Sequence, residues 1–420
     1  MYQATRLSNG LTVLSAAMPH MASVSLGVWV GVGGRHEPAP LNGISHFIEH
    51  MLFKGTRRRS AAQISQAVEG IGGYLNAFTD EENTCFYSRA RADRLPELLD
   101  VLLDMFLDSV FAPAEINKER DVIKEELAMY RDQPAEHVHD VLNAAQFPGH
   151  SLGRPVIGSV KTLNGIRREH LTQYLASHYV AGATVIAAAG DVSHERLVQL
   201  VTQSARRFRP GGRPSGQPVP ALATAPVVTL VTRKTEQTNF SLGLRTCSRH
   251  DERRFALRLL NVILGENMSS RLFQKIREEH GLTYNIQSSP SFWDDCGDLV
   301  VNAGLAPEQL ARTLRLLVGE LRRLRETLPG RAEFGRARDY VLGQFDLGLE
   351  GTEHHMMALG EHWLGFGRLL APAETKARLS AVTPAEVRSA ARDFFRPERM
   401  TLALVSPRQS AAGLAGLLRG

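Results

Sequence analysis

The stretch SAAQISQAVEGIGGYLNAFTDEENTCFYSRARADRLPELLDVLLDMF (Ser60–Phe106) returns in altered form as SRLFQKIREEHGLTYNIQSSPSFWDDCGDLVVNAGLAPEQLARTLRLL (Ser270–Leu317). Each copy reads as a helix, a glycine turn, a tyrosine, two strands and a helix opened by Pro-Glu. Tyr74 answers Tyr284, and Pro96-Glu97 answers Pro307-Glu308, an offset of about 210 residues. Order repeated at a fixed offset is the mark of a duplicated unit. Between the copies lies RPGGRPSGQPVP, Arg209–Pro220, with four prolines and three glycines in twelve residues. Such a segment sustains neither a helix nor a central strand and is predicted to be a linker. The expected division is therefore residues 1–208, a linker over 209–220, and residues 221–420.

Other elements are plain from periodicity. Ser23–Val32, Thr184–Ala189 and Met400–Val405 alternate with period two and predict strands. Leu95–Ser109 and Ala306–Glu326 predict helices. Glycine-turn hairpins mixed with helices predict an α+β fold of two homologous halves, each a largely antiparallel sheet packed with helices.

Composition bounds the rest. The chain has 420 residues, 43% hydrophobic and 22% charged, ordinary values for a globular protein and too apolar for disorder. No run of about 18 apolar residues is present, which excludes a transmembrane helix. The opening MYQATRLSNGLTVLS has neither the form of a secretory signal nor that of a transit peptide, so a cytoplasmic, bacterial location is expected, with no membrane partner. Net charge is +5, from 49 basic and 44 acidic residues, with only Arg57–Arg59 clustered, and no nucleic-acid partner is expected. Three scattered cysteines, Cys85, Cys247 and Cys296, fit a reducing compartment and exclude a disulfide scaffold.

Chemistry concentrates in GISHFIEHMLFKG, Gly43–Gly55. Ile44, Phe47, Ile48, Met51, Leu52 and Phe53 cover nearly every direction of a helix, which predicts burial. The same helix holds His46, Glu49 and His50. Burying three ionisable groups without partners costs several kcal/mol. His46 and His50, one turn apart, share a face and can both reach a divalent metal. Glu49, beside that face, is placed to polarise a water on the metal, in the inverted form of the H-E-x-x-H motif. A third ligand is sought in AEINKERDVIKEELAMY, Ala114–Tyr130, where Ile116, Ile123, Leu127 and Tyr130 mark a buried stripe. Glu119 and Glu126 flank the stripe on one side, while Glu125 points to solvent. Glu126 is a candidate ligand with Glu119 close behind it. A solvated charge run is the plain alternative, and His137 and His139, after Gln133-Pro134, are rivals.

Gly43–Thr56 together with Glu119–Tyr130 resembles the pitrilysin family of inverted zinc peptidases. The match is to its short-chain branch, that of the mitochondrial processing peptidase beta subunit and bacterial processing peptidases. The resemblance implies a processing-peptidase, or LuxS-like metallohydrolase, fold. The family's ligand glutamate falls 76 residues beyond the second histidine, here Glu126, and a supporting glutamate lies seven residues earlier, here Glu119. The resemblance thus implies one zinc per chain on His46, His50 and Glu126, Glu49 as general base, and Glu119 supporting the metal shell. It also makes GGYLNAFT, Gly72–Thr79, the edge strand on which a substrate peptide is added, with Asn76, Ala77 and Phe78 as contacts. REEHGLTY, Arg277–Tyr284, resembles the family's R-x(6)-Y signature, which implies that Arg277 and Tyr284 contact substrate.

The second half lacks the histidine pair: His50 aligns near Asn261, and Glu126 loosely with Gln344. It is expected to position substrate. The implied activity is endopeptidase cleavage of extended or unfolded peptides. A chain carrying both motifs favours a homodimer, a heterodimer with a related subunit being the other arrangement in the family. The competing expectation is a non-catalytic core or scaffold subunit. A closed structural metal site completed by His137 or His139 is a third. Asp80, Glu81 and Glu82 near the edge strand read equally as a preference for basic substrates or as a solvated turn.

Overall fold

The computed structural model describes residues 2–419. Six strands form the first sheet: β1 (Tyr2–Arg6), β2 (Thr12–Ala17), β3 (Ser23–Val30), β4 (Tyr74–Thr79), β5 (Thr84–Arg91) and β6 (Thr184–Gly190). Their spatial order is β1-β2-β6-β3-β5-β4. Five strands form the second sheet: β7 (Val227–Thr232), β8 (Thr238–Arg245), β9 (Thr283–Phe292), β10 (Gly297–Leu305) and β11 (Met400–Ser406), in the order β7-β11-β8-β10-β9. The repeat seen in the sequence is a repeat of topology. The order β2-β6-β3-β5-β4 maps onto β7-β11-β8-β10-β9, and the one parallel pairing falls in the same place, β2 with β6 and β7 with β11. All other pairings are antiparallel. The α+β class and the largely antiparallel sheets are as expected.

The chain forms two compact units, and neither is a continuous piece of chain. One comprises the chain up to Leu127, Arg154–Gln217 and Leu347–Ala371; the other comprises Ala128–Gly153, Pro218–Asp346 and the chain from Pro372 on. The crossing at Gln217 lies within the expected linker, but a division into residues 1–208 and 221–420 misses two reciprocal excursions. Helix Pro134–Gln146, from the first half of the sequence, packs on β11, β8 and β7. Helix Thr352–Phe366, from the second half, packs on β6, β3 and β2. Composition marks a linker by its prolines, but an amphipathic helix does not record which sheet it will cover.

The repeat does carry a trace of this exchange. Ser25-Leu26-Gly27 on β3 recurs as Ser241-Leu242-Gly243 on β8. A Cβ on Gly27 would lie 2.5 Å from Met356 Sδ, and one on Gly243 would lie 2.1 Å from Gln146 Oε1. Each glycine admits the helix that crosses over from the other half of the sequence.

Because a helix covers its second face, the first sheet is buried on both sides. One face packs with Phe47, Ile48, Leu98 and Leu102, and the other carries Trp29, Leu14 and Val185 under Met356 and Leu359. The period-two alternation of β3 therefore does not mark a solvated face. Ser25 is fully buried and hydrogen-bonds Thr352 Oγ1 at 2.9 Å.

Arg58 and Arg59 are held by carboxylates. Arg58 Nε and Arg59 Nη1 reach the fully buried Asp104 at 2.9 and 2.7 Å. All three cysteines are buried and none forms a disulfide. Among the described residues no helix is long and apolar enough to cross a membrane.

Gly360 faces the Trp29 ring, which a Cβ would approach to 2.3 Å. The ring is fully buried and has nowhere to move. Gly360→Ala should therefore destabilise the protein by about 1–3 kcal/mol through overpacking, read as a lowered midpoint in chemical denaturation.

Candidate metal centre

Helix Ile44–Leu52 is set into the first core by Ile44, Phe47, Ile48, Met51 and Leu52, all essentially inaccessible. The burial expected from the all-round apolar pattern is present. The helix leaves His46, Glu49 and His50 part-exposed, the two histidines at 14% and 21% of their side chains. Helix Pro113–Asp132 faces the two histidines, anchored by Ile116, Ile123 and Leu127. Tyr130, expected in the same stripe, is instead 39% exposed near the end of the helix. Glu125 is exposed, as its direction predicts.

These two helices bring three donors together. Glu126 Oε2 lies 3.8 Å from His46 Nε2 and 3.6 Å from His50 Nε2. Ligand atoms of the three residues all lie within 4.8 Å of one another. The separations are too long for hydrogen bonds. They are close to the ~3.4 Å between donors of a tetrahedral zinc shell with bonds of about 2.0–2.1 Å. Two imidazoles and a carboxylate are also a donor set that zinc accepts.

Glu119 lies behind the group, where the heptad spacing predicts it. Its Oε2 is 3.1 Å from His50 Nδ1, and its Oε1 is 2.9 Å from Lys54 Nζ. A carboxylate on Nδ1 fixes the ring so that Nε2 faces the other donors. Lys54, which the sequence alone did not single out, balances the charge of the buried Glu119. His137 and His139 sit on a separate helix, Pro134–Gln146, in the other unit. They do not belong to the donor group, which among the described residues is His46, His50 and Glu126.

Glu49 accepts a 2.5 Å hydrogen bond from Thr79 Oγ1 at the end of β4. Burial raises its pKa above the ordinary carboxylate value, opposed by that hydrogen bond and by His50. Thr79 closes the Gly72–Thr79 stretch, but no pattern in the sequence marked it as the partner of Glu49. β4 is the edge of its sheet. Leu75 and Ala77 pack on the face shared with helix Ile44–Leu52, and Phe78 on the opposite face beside Trp29. Asn76 Oδ1 accepts from the Ala77 amide at 2.9 Å.

The acidic turn after β4 is built into the fold. Asp80 Oδ1 accepts from the amides of Glu82 and Asn83, and burial raises its pKa to about 7. Glu82 is buried in an ion pair with Arg35 at 2.8 Å. Neither the solvated turn nor the substrate-facing acidic patch describes these two residues.

In the second unit, Arg277 lies over the rings of Phe273 and Tyr284, at 4.5 and 4.9 Å. Tyr284 is 83% exposed. Asn261, aligned with His50, is closed into a polar network: its amide donates to Glu266 at 2.7 Å and its oxygen accepts from Ser288 at 2.7 Å.

Residues 12–160 match the family model described as insulinase (peptidase family M16), and residues 165–341 match the one described as peptidase M16 inactive domain. The chain is 39% identical over 409 residues to an uncharacterized zinc protease of Streptomyces coelicolor, covering 96% of this chain and 89% of that protein. It is 37% identical over 401 residues to the uncharacterized zinc protease YmxG of Bacillus subtilis, covering 95% and 97%. A protease from Helicobacter pylori superposes with a TM-score of 0.92 over 97% of this chain and 100% of that one; at 19% identity this likeness concerns the fold. The fold is that of M16-like peptidases. The chain belongs to peptidase family M16, the pitrilysin family.

Burial, followed by the charge of His50, lowers the His46 pKa from 6.5 to about 3. In metal-free protein the unfolded chain would take up this proton near pH 6.5, whereas the folded chain resists it to about pH 3. The unfolded state binds more protons in that window, so stability falls as pH falls from about 6.5 towards 3. Melting temperatures of chelator-treated protein across this range should show the loss, and His46→Gln should flatten it.

Proposed function

We propose that this chain is a zinc-dependent endopeptidase that cleaves extended or unfolded peptides. The observation that carries this reading is the convergence of His46, His50 and Glu126 with Glu49 on the same buried helix. His46, His50 and Glu126 would hold the ion, one per chain, with Glu119 orienting His50. A bound zinc ion supplies a Lewis acid that polarises the scissile carbonyl and acidifies the attacking water.

The chain's own residues do the rest. Thr79 Oγ1 holds Glu49 Oε2, leaving Oε1 to accept the proton of the attacking water and return it to the leaving nitrogen. Burial makes this carboxylate more basic than usual, which suits the role. The free edge of β4, the strand that carries Asn76, Ala77 and Phe78, offers the backbone groups of alternate residues to an added peptide strand, a mode that makes little demand on substrate sequence. Arg277 and Tyr284 are assigned to substrate contact, a role the exposure of Tyr284 and the stacking of Arg277 against it leave open to a peptide. A homodimer is the assembly this reading favours, since one chain carries both motifs. A non-catalytic scaffold subunit is disfavoured by the complete donor set and by the zinc-protease names of the relatives.

Glu49→Gln should keep about one zinc per chain by metal analysis while cleavage of a peptide library drops about 10²–10⁴-fold, the usual contribution of a general base. Cleavage by the variant at the wild-type rate would overturn the assignment of the base. Wild-type protein that takes up no zinc on add-back would favour the scaffold.

A further inference from the structure

We propose that Glu37 is a positioning residue for His46, acting as a remote cap on the N-terminus of the helix that carries both imidazoles; this rests on the metal-site reading above. Helix Ile44–Leu52 has nine residues. A helix this short is marginal without packing and caps. Its N-cap is Gly43, in the left-handed region at φ 94°, with no side chain to offer. A side chain could not be added there. A Cβ on Gly43 would meet Ile157 O at 2.7 Å and Gly158 Cα at 2.9 Å. The usual Ser, Thr, Asp or Asn cap is thereby excluded, and the first amides of the helix need an acceptor from elsewhere.

Glu37 supplies it from six residues upstream. Its Oε2 accepts from the Gly43 amide at 2.7 Å and from Asn42 Nδ2 at 3.0 Å, and its Oε1 accepts from the Ser45 amide at 2.8 Å. The residue is buried, and Arg154 Nη2 donates to its backbone carbonyl at 2.6 Å. A carboxylate at this end of the helix also suits the helix dipole. The loop carrying Glu37 is fixed in turn. The amides of Gly34 and Arg35 donate to the backbone carbonyls of Asp80 and Glu81 at 3.0 and 2.6 Å, and Arg35 pairs with buried Glu82. The same turn follows Thr79, the residue that holds Glu49.

The two imidazoles are aimed in different ways. His50 is oriented through Nδ1 by Glu119. The Nδ1 of His46 is buried and has no hydrogen-bond partner among the described residues. Its ring is therefore directed by where the first helical turn sits, and Glu37 holds the amide of Ser45, the residue directly before it. Glu37 thus does for His46, through the backbone, what Glu119 does for His50 through the ring.

The test uses the full-length chain, zinc alone as the probe and competition with a weak chelating dye as the readout, with the visible spectrum of the cobalt(II)-loaded protein as a report on donor geometry. Glu37→Ala should weaken zinc binding about 10–100-fold, the usual effect of losing a residue that orients a ligand. Glu37→Gln, which keeps the shape and one acceptor, should fall between the two and covers the case in which the alanine variant does not fold. The loss should multiply with that of Glu119→Ala but largely vanish in a His46→Ala background. A lowered melting temperature with unchanged zinc affinity and cobalt spectrum would reduce Glu37 to a structural cap and overturn the proposal. So would an undiminished loss in the His46→Ala background. If His46→Ala and His50→Ala themselves leave zinc affinity unchanged, the metal-site reading fails first, and that result is distinct from either.

Discussion

Everything in the first unit answers to the placing of ionisable groups inside an apolar layer. Helix Ile44–Leu52 buries five large hydrophobic residues and leaves His46, Glu49 and His50 only partly exposed. Unpartnered, such groups cost several kcal/mol. The fold gives His50 and Glu49 hydrogen-bond partners and leaves His46 facing the other two donors. Glu119, itself paired with Lys54, meets His50, Thr79 meets Glu49, and Glu126 is brought near both Nε2 atoms. The burial that makes the cluster costly also tunes it, keeping His46 neutral and making Glu49 more basic. Destabilising arrangements of this kind persist where the surrounding structure over-determines them.

Here that surrounding structure is a brace made from loops. The segment around Arg35 and Glu37 and the turn at Asp80–Asn83 are tied by backbone hydrogen bonds and by the buried pair of Arg35 with Glu82. A buried ion pair is weak evidence of stability. It is better evidence of fixed geometry, since its two chains are the ones that end at the helix cap and at the partner of Glu49. Asp80 and Glu82 at this turn are therefore used within the molecule rather than offered to a substrate.

The second unit repeats the topology without the constraint. Its counterpart of His50 is Asn261, whose amide and carbonyl are both satisfied by Glu266 and Ser288. A closed hydrogen-bond network of neutral and singly charged groups asks for no cation. One scaffold therefore appears twice, once with donors converging and once with a self-sufficient polar core. The recurring Ser-Leu-Gly on β3 and β8 goes with a close helix crossing in both units, whichever site chemistry the unit carries.

Much of this was legible in the chain alone. The duplication follows from an order of elements repeated about 210 residues on, and the strands, the buried helix and the placing of Glu119 and Glu126 on one side follow from periodicities of two, 3.6 and seven residues, because those are set by backbone geometry within one element. Spacing could not choose between Glu126 and the histidines at 137 and 139, since the choice depends on which helix lies opposite His46 and His50. Nor could it reveal the exchange of helices Pro134–Gln146 and Thr352–Phe366 between units, the exposure of Tyr130, or the parts taken by Glu37, Lys54 and Thr79. Those are contacts between segments distant in the chain or joined by irregular loops. Local pattern fixes which way a side chain points on its own element; only the packed structure decides what it meets there.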